Sequence, residues 1–213
     1  MSREDSVTAS TPHLNERTAT EIVRGIATGE FTCEAVTRAC LARIADRYDD
    51  PDLRHQIADA VGIGALKYAD LSVSRDSGYT FDFDRMLALT GNTGPYLQYA
   101  TARIRSIFRK AGLDPAATTG PIRITEEAER AVALALLGFG RSVHLAAQNA
   151  EPHLMASFLF EVASAFTTFY EACPVLKADD PAVRDSRLAL CALTLRVLVT
   201  GLGLLGVPIP ERM

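Results

Sequence analysis

The chain has 213 residues, 48% of them hydrophobic and 23% charged, which suits one large or two small soluble globular domains. Its formal net charge is −4, so global charge carries no sign of nucleic-acid binding, and any such role must rest on a local patch. The four cysteines, Cys33, Cys40, Cys173 and Cys191, form no CxxC pair and have no clustered histidines beside them, so they read as small buried thiols rather than metal ligands.

Residues 1–17 are polar, Ser/Thr-rich and without periodicity, which predicts a disordered arm. No apolar run follows the opening Met-Ser-Arg-Glu-Asp, which speaks against a signal peptide and makes the cytoplasm the expected address. Residues 18–50 predict an N-terminal helical extension. Ile22, Val23 and Ile26 form one apolar set and Val36, Cys40, Leu41 and Ile44 another, with a turn at Gly29 between them. Asp49-Asp50-Pro51-Asp52 reads as a break. Residues 51–80 read as a linker: a short helix over Ile57 to Val61 ended by Gly62 and Gly64, a short helical or extended piece over Lys67 to Leu71, and a loop over Ser72 to Gly78.

From residue 81 to 213 the pattern is helical nearly throughout. Asp82 or Asp84 can cap a helix running to Leu89, and Gly91 to Pro95 make a turn. Pro95 suits a first helical turn, since its missing N–H costs nothing there; that helix runs to about Ala111 and stops at Gly112. Thr125 is placed to cap the next, with Glu126 and Glu127 in its first turn, and Gly138 and Gly140 bend or break it. Pro152 opens a helix reaching Ala172, which Pro174 closes, and Asp180-Pro181 opens the last, ending near Gly201, Gly203 and Gly206. The apolar stretch Leu188 to Leu205 is interrupted by Arg196 and fits a buried helix better than a membrane span. With no strand pattern and no repeat, the expected fold is an all-α bundle of four to six helices.

Catalytic signatures are sparse. There is no GxxxxGK[ST] and no GxSxG, and His13, His55, His144 and His153 are scattered; neither a catalytic residue nor a metal site is expected. The segment Thr93 to Lys110 stands out instead as one amphipathic helix. Leu97, Ala100, Ile104, Ile107 and Phe108 form its apolar stripe. Tyr96, Tyr99 and Arg103 share a face at i, i+3, i+7, and Arg105, Arg109 and Lys110 add positive charge. Aromatic rings beside guanidinium groups suit single-stranded RNA, because rings stack on splayed bases while arginines meet phosphates or base edges. On periodicity alone, packed tyrosines and a solvated basic face account for the same pattern more simply.

Four strings carry a resemblance. AVGIGALKYADL, Ala60 to Leu71, resembles the segment of arginyl-tRNA synthetases that joins the catalytic domain to the C-terminal helices. FDFDRMLALTGNTGPYLQYATARIRSIFRKAG, Phe81 to Gly112, resembles the entry to that family's DALR anticodon-binding domain. EPHLMASFLFEVASAFTTFYEACPVL, Glu151 to Leu176, is similar to its central helix, and SRLALCALTLRVLVTGLGLLGVPIPERM, Ser186 to Met213, to its last helix and terminus. The similarity is collinear over residues 54–213; the first 50 residues do not share it.

The resemblance implies an all-α helical bundle of the class I aminoacyl-tRNA synthetase anticodon-binding type, with an N-terminal helical extension, that binds the anticodon stem-loop of tRNA-Arg. It implies that Tyr96, Tyr99 and Arg103 face the anticodon loop, together with Met213, which matches the family's chain-terminal methionine. Asn92 and Gln98 match the same motif, with helix entry and packing as their alternative roles, and Phe169 and Tyr170 match a helix close to the loop. The family's HIGH-like and KMSK-like motifs do not appear, so the chain is not expected to aminoacylate alone. It then needs no cofactor, and ATP enters only if a partner supplies the catalytic domain. Two other roles fit: a scaffold docking a protein partner or a second copy through the N-terminal helices and the 61–71 segment, where Ile63 and Leu66 need cover, or the tRNA-binding subunit of a split arginine–tRNA ligase. No membrane association is expected.

Overall fold

The computed structural model describes residues 21, 24, 25, 27–30, 32, 35, 50–78 and 82–213. The predicted arm over 1–17, the apolar set from Val36 to Ile44, and Cys33 and Cys40 lie outside the described residues. The chain divides into two units, Met1–His55 and Gln56–Met213.

In the first unit the predicted turn at Gly29 is present. Gly29 has φ 73°, the left-handed conformation in which glycine meets no Cβ penalty. The Glu30 amide reaches back 2.9 Å to the Gly25 carbonyl, closing a helix end. The Thr32 hydroxyl then accepts the Ala35 amide at 3.1 Å, the geometry of a new helix start.

Helix α1 spans Pro51–Leu71. The acidic break before it is its cap: Asp50 Oδ1 accepts the Asp52 and Leu53 amides at 2.9 and 3.2 Å, and Pro51 occupies the first turn. This corrects the expected short helix over Ile57 to Val61, which Gly62 and Gly64 were to end. Both glycines lie within the helix, and at Gly64 the space a Cβ would need is filled by the Gln98 carboxamide and by Val207. Gly64 marks a close approach rather than a break.

In the second unit a single helical turn, α2 (Phe83–Met86), follows, with Asp82 Oδ1 accepting the Arg85 amide at 3.1 Å. It is shorter than the helix to Leu89 expected from the sequence. Helix α3 (Gly94–Ala111) is capped by Thr93, whose hydroxyl accepts the Tyr96 amide at 3.2 Å, and it ends at Gly112 with φ 66°. Helix α4 (Glu127–Leu137) starts one residue later than expected, with Glu126 rather than Thr125 at the cap. After Gly138 comes α5 (Phe139–Asn149), then α6 (Pro152–Ala172) and α7 (Pro181–Leu204), capped by Asp180. Helix α7 ends at Leu204, among Gly201, Gly203 and Gly206 as expected. Every regular element among the described residues is helical.

Helix α6 is the hub, packing on α3, α4, α5 and α7. Its buried residues Met155, Leu159, Val162, Phe166 and Phe169 recur at three- and four-residue spacing, one stripe of a 3.6-residue period. Leu97, Ile104 and Phe108 of α3 and Leu195, Leu198 and Leu202 of α7 close the same core. Helix α7 and the stretch Glu127–Asn149 are long and apolar enough to cross a membrane. However, 67% of the α7 window is buried inside the bundle, which is what a core helix shows, and the other stretch is two helices broken at Gly138. Cys173 and Cys191 are buried free thiols, as expected, and burial pushes the Cys191 thiol up to about 12.

Candidate nucleic-acid interface

At 3.6 residues per turn, Tyr96, Tyr99 and Arg103 fall on one side of α3, and Gln98, Arg105 and Arg109 on roughly the opposite side. The two sides are used differently.

On the first side, Tyr96 is half-buried against α6. Its hydroxyl lies 3.0 Å from Thr167 Oγ1, and its ring centre is 5.8 Å from that of Phe160. Both hydroxyls converge on the Ala163 carbonyl, to which Thr167 donates at 3.0 Å and Tyr96 at 3.4 Å. The polar tip of Tyr96 is thus committed within the fold, and the residue braces α3 against α6. Tyr99, one turn on, is 36% exposed.

Arg103 lies between Tyr99 and Tyr170. Its guanidinium carbon is 4.7 Å from the Tyr99 ring centre and 5.0 Å from that of Tyr170. Both distances are within cation–π reach, each worth roughly 0.5–1 kcal/mol at an exposed site. Arg103 Nη2 also donates to the Tyr99 hydroxyl at 3.1 Å. The guanidinium has five N–H donors, and among the described residues its only hydrogen-bond acceptor is the Tyr99 hydroxyl. Tyr170 is 38% exposed and leans on the buried Phe166 at 6.1 Å, which fixes its ring from behind. Phe169, its neighbour, has no exposed surface and belongs to the core. The matched pair Phe169 and Tyr170 therefore splits, and only Tyr170 reaches the surface.

On the opposite side, Gln98 is fully buried. Its Nε2 donates to the Ala60 carbonyl at 2.9 Å and the Pro208 carbonyl at 2.7 Å, while Oε1 is left without a partner. Both donors are consumed in joining α1, α3 and the C-terminal tail, and Gln98 packs at that joint with no exposed surface. The tail is held further along by Arg105 Nη1, which donates to the Pro210 carbonyl at 2.9 Å, and by Lys67 Nζ, which donates to the Gly206 carbonyl at 2.8 Å. Met213 is half-buried at the end of this tail, whose anchors lie on the side of α3 away from Tyr99 and Arg103.

Asn92 is exposed in the turn before α3. Its Oδ1 lies 2.6 Å from the Tyr68 hydroxyl, which also lies 2.9 Å from the Ala156 carbonyl. One phenolic proton serves both acceptors. Burial pushes the Tyr68 hydroxyl well above the ordinary phenol range, so it stays a donor. Asn92 thereby helps fix the α1–α3–α6 junction while keeping its outer edge in solvent. The structure brings together Tyr96, Tyr99, Arg103 and Tyr170, and sets Gln98 and the tail carrying Met213 apart from them. Thr167 and Phe160, which orient Tyr96, gave no signal in the sequence beyond their place on an apolar helix.

The family model for the DALR anticodon binding domain matches residues 97–213. The chain belongs to the DALR anticodon-binding domain family. Its relatives include the arginine–tRNA ligase of Thermobifida fusca, 62% identical over 181 residues, and that of Frankia casuarinae, 54% identical over 183 residues. Each match covers 84% of this chain and 31% of the relative, so the chain spans about a third of the length of these ligases. Residues 54–213 are three quarters of the 213-residue chain, so a match over 84% of it reaches upstream of Arg54. That extends the resemblance into the first 50 residues, which the quoted strings had left outside it. Among solved structures, the Thermus thermophilus arginyl-tRNA synthetase superposes with a TM-score of 0.71 at 36% identity, over 84% of this chain and 31% of that one. The Plasmodium falciparum enzyme gives a TM-score of 0.71 at 31% identity, over 90% of this chain and 33% of that one. The DALR fold therefore accounts for the all-α bundle, with the Tyr99–Arg103–Tyr170 cluster on its α3–α6 surface.

Proposed function

We propose that this DALR domain binds the anticodon stem-loop of tRNA-Arg and that Tyr99, Arg103 and Tyr170 form the contact surface. The observation that carries the reading is the guanidinium of Arg103 held between two half-exposed tyrosine rings. Side chains held in place this way offer stacking faces and N–H donors at little ordering cost, which suits the unstacked bases of an RNA loop. Tyr96 and Asn92 support the surface from behind, and Met213 joins it only if the tail end turns back around α3. In this reading the chain acts in the cytoplasm, needs no cofactor for binding, and serves an arginine–tRNA ligase activity whose ATP-dependent step belongs to a catalytic domain.

The test is a mobility shift of tRNA-Arg across a salt series, with an anticodon-substituted tRNA-Arg and an unrelated tRNA as controls. Preference for the arginine anticodon supports the reading. Equal binding of all three, or no binding at low salt, refutes it.

One observation favours a second role. Ile63 and Leu66 on the outer face of α1 are 51% and 49% exposed. Two adjacent large apolar side chains left in water suit a protein contact, with either a partner or a second copy of this chain. Concentration-dependent sedimentation that is abolished by Ile63→Ser/Leu66→Ser identifies the second copy as the cover.

A further inference from the structure

On the side of α3 away from Tyr99 lies a cleft of about 660 Å³, between the end of α3, the middle of α7 and the C-terminal tail. Four guanidinium groups line it, from Arg105, Arg109, Arg196 and Arg212, against two carboxylates, Asp114 and Glu211. In a chain of net charge −4, this is a local concentration of positive charge. Its walls are partly apolar, from Leu113, Leu195 and Val199. Its volume falls in the range of about 300–1,000 Å³ common for small-ligand sites, which pair apolar walls with a few charged groups.

An internal anion already shows where charge is accepted. Glu211 Oε1 lies 3.3 Å from Arg105 Nη2, with the Glu211 side chain 81% exposed and that of Arg105 17% exposed. An ion pair with one partner so exposed contributes little and yields readily to a competitor. A phosphate offers more than one carboxylate does: more charge, and oxygens spaced for paired guanidinium N–H groups. Arg105 is held in place for this by its bond to the Pro210 carbonyl, at 2.9 Å.

We propose that this cleft binds the phosphate of a nucleotide, with the sugar and base lying along the Leu113, Leu195 and Val199 wall. The Glu211 carboxylate is the group the phosphate displaces. The site is separate from the Tyr99–Arg103–Tyr170 surface and does not depend on it.

The experiment titrates the full chain with AMP, with adenosine and with inorganic phosphate, following backbone amide shifts. AMP should bind saturably and perturb residues 105–116 and 192–199, phosphate should act on the same residues more weakly, and adenosine should not bind. Arg196→Ala and Arg212→Ala, neither of which holds the tail, should each weaken AMP about tenfold, as expected for loss of a hydrogen bond to a charged group. Glu211→Gln should tighten it. A tRNA-Arg stem-loop separates the two sources of the phosphate. If Arg196→Ala/Arg212→Ala lowers its salt slope by about two, the phosphates belong to an RNA strand; if the stem-loop binds unchanged while AMP is lost, the site serves a free nucleotide. Tyr99→Ala should leave AMP binding intact whatever it does to the stem-loop. No saturable AMP binding, shifts centred on Tyr99 and Tyr170, or indifference to Arg196→Ala and Arg212→Ala overturns the proposal.

Discussion

Arg187 Nε lies 2.6 Å from Glu129 Oε1, and the two side chains are 9% and 2% exposed. The other Glu129 oxygen accepts the Thr125 amide at 2.7 Å and the Glu126 amide at 3.0 Å, while Arg187 Nη1 donates to the Pro174 carbonyl at 2.9 Å. One carboxylate thus caps α4 and ties it to α7. Removing it strands a buried guanidinium, so Glu129→Ala should cost about 3–5 kcal/mol in urea denaturation. The double change Glu129→Leu/Arg187→Met should cost much less, because it leaves no buried charge behind. Equal losses in the two variants would show that packing, not charge, dominates at this site.

The same pair predicts a pH dependence. Burial pushes the Glu129 carboxyl up, but the hydrogen bonds from Thr125, Arg187 and Glu126 outweigh it, and its folded value lies below the ordinary one. A depressed carboxylate contributes stability that is fully present above the unfolded value of about 4.3 and lost as pH falls through the folded value. The urea midpoint should therefore fall as pH drops below about 4.3, and Glu129→Gln should show a shallower fall. Parallel curves for the two proteins would remove Glu129 from the acid sensitivity.

Two glycines, one at the α1–α3 crossing and one in α5, give a packing test. A Cβ on Gly94 would lie 2.8 Å from the Gly64 carbonyl and 3.1 Å from Ala65 Cα, backbone atoms with no room to move. Gly94→Ala should cost about 1–3 kcal/mol from overpacking. Gly140, inside α5, meets nothing within 4 Å, so Gly140→Ala should stabilise by about 0.5–1 kcal/mol through helix propensity. Thermal melts of both variants check the pair, and a neutral Gly94→Ala would contradict the close approach.

Gln98 predicts the behaviour of the tail. Its two N–H bonds join Ala60 and Pro208, so Gln98→Ala should break both and cost about 1–3 kcal/mol. Residues 207–213 should then exchange amide protons faster and be cut sooner by protease, before the bundle itself opens. Unchanged protection of the tail would show that Lys67 and Arg105 suffice to hold it.

Helix ends set by local chemistry were legible in the sequence. Proline in a first turn, Asp180 before the last helix and the stop at Gly112 place α3, α6 and α7 where they are found. Helix α1 was not legible, because Gly64 resembles a breaker until Gln98 and Val207, distant in the chain, are seen against it. The candidate site was half legible. The spacing of Tyr96, Tyr99 and Arg103 shows that they share a face, but the meeting of Arg103 with Tyr170 across 67 residues comes only from the packing of α3 on α6. Gln98 lies in the same motif as Tyr99, yet one residue on a helix turns it by about 100°, into the tail contact instead of the surface.

The central claim is that Arg103 and its two flanking tyrosines read the anticodon loop. The most direct measurement is the affinity of a tRNA-Arg anticodon stem-loop for the wild-type chain, Tyr99→Ala, Tyr170→Ala and Arg103→Ala, each confirmed folded by circular dichroism. Losing a base-stacking ring should cost about 1–3 kcal/mol. Each variant should also lose the preference over a stem-loop with a substituted anticodon. Variants that stay folded and bind both stem-loops as wild type does would contradict the account and place RNA recognition elsewhere on the molecule.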